Sequence, residues 1–280
     1  MRYRMSTRSG GTPTALGYRR LAQQSQQLAA YFEALGLARE AGLARRMVVS
    51  SRAEAQLFEL VHRNPQLPIP TDLVQVEALL NLWFGRSRDL TFRRISLGRG
   101  LPPAALAYLP TMVDDQLLQE CLRALLGGGC SASFTGAAGD VVKWVQSSRI
   151  TAPDTREVPT SQQAALDVAE GKAVLFVQGT CRALSFDVAG GPERSIDESK
   201  TQRVVRGPRE GFIESLDVNV TLIRRRIRDP RLRIEMVTVG ELTRTRVAVA
   251  HLATICKASL VDEALRRIRR VKVDGVLDSG

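Results

Sequence analysis

The chain has 280 residues, 44% of them apolar, enough to bury the core of one large domain or two small ones. Aromatics make up only 5%, so that core is to be built mainly from Leu, Val, Ile and Ala. The net charge of +11, carried largely by arginine, reads as contact with an anionic membrane surface or nucleic acid, or as a solvated basic face; no nucleic-acid-binding signature accompanies it, so no specific nucleic acid is implied.

Residues 1–17 are polar and expected to be disordered. Residues 18–46 are rich in Ala, Leu, Gln and Arg, and Leu21, Leu28, Tyr31, Phe32 and Leu35 recur at helical spacing. A second short helix is expected over Arg52 to His62. This basic N-terminal extension, residues 1–65, packs on the domain, binds a partner or reflects a misplaced gene start; its sequence leaves all three open. Asn64 to Pro70 carries three prolines and reads as a stiff, extended linker, which sets a boundary.

Regular patterning starts at Thr71. Thr71 or Asp72 can cap a helix to about Trp83, with Leu73, Val76, Leu80 and Trp83 on one face. Strands are expected over Leu90 to Leu97 and Ala104 to Leu109, and a helix from Asp114 or Asp115 to Leu125, ended by Gly127 to Gly129. The same order returns later: a helix over Pro208 to Arg228, strands Leu232 to Val239 and Thr245 to Leu252, and a helix Ser259 to Ile268. Leu90 and Leu232, Phe92 and Ile234, and Gly98 and Gly240 stand at one separation, 142 residues. The expected fold is therefore α/β, with two lobes, each a helix-strand-strand-helix unit around a mixed sheet. The first lobe is placed at residues 66–148 and the second at 149–280.

Between the repeats, Gly136 to Asp140 reads as a loop, and Val141 to Gln146 extends the first lobe. Thr160 or Ser161 caps a short helix through Ala169. A β-hairpin insert follows, with Ala173 to Val177 fully apolar, as in a central strand, and Ala183 to Val188 alternating, around Gly179-Thr180. The hairpin is assigned to the second lobe.

Chemistry is sparse. Cys121, Cys130, Cys181 and Cys256 are widely spaced, which argues for reduced, buried thiols rather than a zinc site. The two histidines, His62 and His251, are too few for a histidine-based metal or nucleophilic centre. No Walker phosphate loop, G-x-S-x-G, H-E-x-x-H or dinucleotide fingerprint is present, so no enzyme, catalytic residue, metal or cofactor is assigned. No run of about 18 apolar residues exists to span a membrane.

The remaining candidate is the charged turn Arg203-Val-Val-Arg-Gly-Pro-Arg-Glu-Gly-Phe212. Gly207 permits an unusual backbone angle and Pro208 suits a first helical position. Arg203, Arg206 and Arg209 beside a helix start make a plausible anion pocket. Alternatively, Arg206 and Arg209 pair with Glu210, Glu214, Asp197 or Asp278 and lock the lobes together, with Phe212 on the apolar stripe of the helix. A ligand site between the lobes and an assembly interface are the two functional readings.

Val204 to Phe212, followed by Leu222-Ile-Arg-Arg-Arg226 and Asp274-Gly-Val-Leu-Asp-Ser-Gly280, resembles the GerA family, the A subunits of spore germinant receptors and related sporulation membrane proteins. The resemblance runs from about Thr71 to Gly280. It implies the soluble N-terminal domain of such a subunit, on the cytoplasmic (core) side of the spore inner membrane. It also implies B and C subunits as partners, self-association as a homo-oligomer, a part in an ion channel, and a membrane region beyond Gly280, so that the chain reads as a truncated protein. Arg203 to Phe212 would then be a hinge or interface.

Overall fold

The computed structural model describes residues 15–48, 51–85, 87, 89–98, 100–126, 138–148, 154–190, 212–271 and 273–275. Three helices open the chain: α1 (Ala15–Ala34), α2 (Ala38–Arg46) and α3 (Ser51–His62). The amphipathic stretch expected over 18–46 breaks at Gly36, whose φ of +73° suits a residue without a Cβ. Leu28, Phe32, Leu43, Leu57, Phe58 and Val61 are buried in the same core as the helix that follows, so the N-terminal extension packs on the domain. The proline segment is likewise tied down rather than a free linker. Pro68 forms a β-bridge with Thr160, and the Tyr31 hydroxyl donates to its carbonyl.

The main sheet has five strands. α4 (Leu73–Phe84) starts at Asp72, whose carboxylate accepts from the Val74 N–H at 3.0 Å, a cap worth about 1 kcal/mol. It precedes β1 (Thr91–Ser96), β2 (Pro103–Tyr108), α5 (Asp115–Leu126), α6 (Ala138–Ser148), β3 (Arg156–Val158), α7 (Ser161–Ala169), β4 (Ala173–Val177) and β5 (Ala183–Phe186). Strand order is β1-β2-β4-β5-β3, and every pairing is antiparallel. Residue parity sends side chains to two cores. Ala105, Ala107, Val174 and Phe176 face α1–α4 and α7, whereas Ala104, Leu106, Leu175 and Val177 face α5 and α6. The fully apolar run 173–177 is the central strand because both of its faces are covered.

A second, two-stranded sheet follows. α8 (Leu216–Arg226), β6 (Leu232–Val239), β7 (Thr245–Leu252) and α9 (Ala258–Arg270) repeat the order of α4, β1, β2 and α5. β6 and β7 pair antiparallel from Leu232↔Leu252 to Val239↔Thr245. Leu232 and Ile234 face Val220 of α8, while Val237 and Val239 face Leu265 of α9. The second unit thus holds its two strands between its first and last helix.

The helix-and-sheet class is as expected, but its partition differs in three ways. The hairpin β4–β5 is no insert of the second unit, because β4 pairs with β2 and completes the first sheet. Neither sheet is mixed. The stretch at 136–140 belongs in part to α6, which begins at Ala138.

Candidate functional site

The junction between the units is built on α8. Val220 and Thr221 are on its buried face, and Arg224, one turn on from Val220, shares that face. Arg224 is 0% exposed. Its Nε donates to Asp89 Oδ2 at 2.9 Å and its Nη2 to Asp89 Oδ1 at 3.2 Å, a bidentate pair with the loop after α4. Nη1 donates to the Leu232 carbonyl at 2.9 Å and Nη2 to Ser87 Oγ at 3.3 Å. Ser87 Oγ also accepts the Ile234 N–H at 3.2 Å, and the guanidinium carbon is 5.9 Å from the Phe84 ring centroid. One buried cation therefore ties the end of α4, the loop behind it, α8 and β6 together.

Neighbouring arginines extend the junction. Arg225 Nη2 donates to the Gly190 carbonyl at 2.6 Å, and the Thr221 hydroxyl has the Thr111 carbonyl at 3.1 Å. Arg233 lies over the Phe58 ring at 5.2 Å and reaches the Leu82 carbonyl. Gly85, at φ +64°, leaves the room that the Arg233 guanidinium fills. Arg231 grips Asp229 through three short hydrogen bonds. Burial alone would raise the Asp229 carboxyl, but the bonds from Arg231 outweigh it and hold the group below its ordinary value. His62 stacks on Phe58 and meets Trp83 edge-on, and burial followed by the charge of Arg231 lowers its pKa. The dense arginine group read as a basic face is, for Arg224, Arg225 and Arg233, turned inward against the first unit.

The charged turn fares differently. Arg203, Arg206, Gly207, Pro208, Arg209 and Glu210 lie outside the described residues. Phe212 is described and is 70% exposed, so it is not on the buried stripe of α8. Among the described residues that helix starts at Leu216, not Pro208, because Asn219 clasps the Ile213 peptide on both sides (Ile213 N to Oδ1 2.8 Å, Nδ2 to Ile213 O 2.6 Å) and turns the chain before the helix. Among the described residues the lock between the units is made by Arg224, and the pairing expected of Arg206 and Arg209 lies outside them. The signal of Arg224 in the sequence is the four-residue spacing from Val220, which puts an arginine on an apolar stripe.

Of the cysteines, Cys121 is buried as expected, whereas Cys181 is exposed. Burial lowers the pKa of His251, which lies in β7. Among the described residues no group of three or more His, Cys, Asp and Glu side chains is placed to hold a metal, and no helix is long and apolar enough to cross a membrane.

Residues 78–280 match the family described as Bacillus/Clostridium GerA spore germination protein. The chain is 31% identical to the uncharacterized membrane protein YfkQ of Bacillus subtilis (strain 168), over 80% of this chain and 43% of that protein. It is 30% identical to spore germination protein KA of the same organism, over 70% and 36%, and 32% identical to its stage V sporulation protein AF, over 69% and 38%. The chain thus spans about two fifths of the length of these relatives. Its fold resembles the crystal structure of the N-terminal domain of the A subunit of the Bacillus megaterium spore germinant receptor GerK3, with a TM-score of 0.60, 21% identity and 74% of each chain covered.

Proposed function

This chain belongs to the GerA family of spore germination proteins, and on that premise we propose that it acts as the N-terminal domain of a germinant receptor A subunit, relaying a nutrient signal through two rigidly coupled units. The observation that carries the relay is the buried Arg224–Asp89 pair. A guanidinium with three of its four described bonds directed across a junction, to Asp89 and Ser87, and the fourth anchored on β6 fixes the relative orientation of what it joins. Displacement of one unit is then passed to the other rather than absorbed between them. In this reading the rest of the subunit lies in the spore inner membrane, the domain faces the core, and B and C subunits and further copies complete an ion-conducting receptor. The domain performs no catalysis. A ligand site near Arg206 and Arg209 is the weaker reading, since the described contacts between the units are side-chain packing and internal ion pairs.

The test is made in spores carrying the full-length protein. Deleting its gene should abolish or slow germination in response to at least one nutrient, read as loss of refractility. Unchanged germination toward a broad nutrient panel would overturn the receptor reading. Asp89→Ala, scored per subunit present at the membrane, should respond poorly, and a normal response per subunit would overturn the relay. A second reading rests on the 32% identity to stage V sporulation protein AF: a sporulation membrane protein outside any receptor. It predicts a deletion defect that is independent of which nutrient is supplied.

A further inference from the structure

At one end of the second unit the β6–β7 turn and the chain after α9 are knitted together. The Glu241 N–H donates to the Val273 carbonyl at 3.1 Å, and the Leu242 and Thr243 N–H groups to the Asp274 carbonyl at 2.9 and 3.3 Å. This tip exposes large apolar side chains: Leu242 is 80% exposed, Val271 46% and Val273 43%. Beside it, the last five residues of α9 hold Arg266, Arg267, Arg269 and Arg270, and the turn adds Arg244. The apolar face of α9 is already spent on β6 through Leu265, so these arginines line its outer side. Five arginines here face four carboxylates, Glu241, Asp262, Glu263 and Asp274. Glu263 holds Arg266 and Arg267, whereas Arg244, Arg269 and Arg270 have no ion pair among the described residues. Arg244 also sits at φ +46°, a backbone region where glycine or asparagine is at ease.

We propose that this tip is a peripheral docking surface for an anionic phospholipid bilayer: Leu242, Val271 and Val273 enter the headgroup layer, and Arg244, Arg269 and Arg270 meet lipid phosphates. Exposed aliphatic side chains beside arginines with no ion pair among the described residues match a surface that is apolar below and negative above, which is the chemistry of an amphipathic interfacial element. The inference goes beyond the receptor reading and does not need it.

The test is flotation of the purified 280-residue chain with vesicles of phosphatidylcholine alone, and of phosphatidylcholine with roughly a third phosphatidylglycerol. The wild type should float with the anionic vesicles only, and added salt should release it. Arg269→Gln/Arg270→Gln should weaken partitioning about twenty-five-fold, about fivefold for each arginine. Leu242→Ser/Val273→Ser, independent of charge, should weaken it about tenfold or more. Arg93→Gln/Arg123→Gln removes the same charge from exposed sites on the first unit and should leave binding within about twofold. Absence of flotation at low salt, equal binding to neutral vesicles, or an equal loss in the first-unit control would each overturn the proposal. So would self-association of the wild type that Leu242→Ser abolishes in the absence of vesicle binding, because the occupant would then be a second copy.

Discussion

Replacing Arg224 by alanine removes four hydrogen bonds at once and strands the Asp89 carboxylate, whose side chain is only 9% exposed. Breaking one partner out of a buried pair costs about 3–5 kcal/mol, because the remaining charge has lost both its counterion and its water. Against a typical total stability of about 5–15 kcal/mol this is a large share. For a chain of this size it corresponds to a fall in Tm of about 6–20 °C. Urea titration followed by circular dichroism, and by Trp83 fluorescence in a Trp144→Phe background, reads both the loss and its location, since Trp83 is buried on α4 beside the junction. Arg224→Lys should fall between, as a point charge cannot reproduce the fork. The double variant Arg224→Met/Asp89→Leu should recover most of the loss, because an apolar pair leaves no orphan charge. If Arg224→Ala unfolds within about 0.5 kcal/mol of the wild type, or if the double variant is no better than the single one, the pair does not hold the junction.

Two further outcomes follow from the same geometry. Gly190→Ala would put a Cβ 2.6 Å from Asp114 Cβ and 2.9 Å from its backbone nitrogen, so the chain has to move, at a cost of about 1–3 kcal/mol in a thermal melt. That substitution also strains the carbonyl that receives Arg225. His62 and His251 are both held below the ordinary value of about 6.5 by burial, so the unfolded chain takes up protons first on acidification. Their contribution is therefore complete above about pH 6.5 and is lost as pH falls below that value through the lowered folded ones. Urea midpoints should decline over this range in the wild type and less steeply in His62→Gln, and an unchanged slope would refute the linkage.

Local signals in the chain carried most of the elements. The Asp72 and Thr160 caps, the strand runs of β6 and β7 and the turn at Gly179 depend on neighbours within a few residues, and each stands where its pattern put it. Partnership was not legible in the same way. β4 pairs with β2 across an intervening three helices and a strand, and periodicity carries no information about which edge a strand meets. β3, with three residues, is too short to show a period. The N-terminal helices had a legible apolar stripe but no legible destination. Arg224 was hidden by its neighbours: in a row of three arginines at a helix end, charge reads as a solvated terminus favoured by the dipole, while the inward direction is given only by the spacing from Val220.

The two units repeat one order of elements but not one size. The first unit has five strands and helices on both faces, while the second has two strands between two helices and cores of only three buried apolar residues each. A two-stranded sheet of that kind is marginal alone, so the order of the second unit is borrowed from its larger twin through Arg224 and the contacts around it. Local opening then runs downhill from the junction: backbone amides of β6 and β7 should exchange with solvent well before those of β2 and β4. The smaller copy is the compliant half of an unequal pair, with its folded population set by the grip of its neighbour.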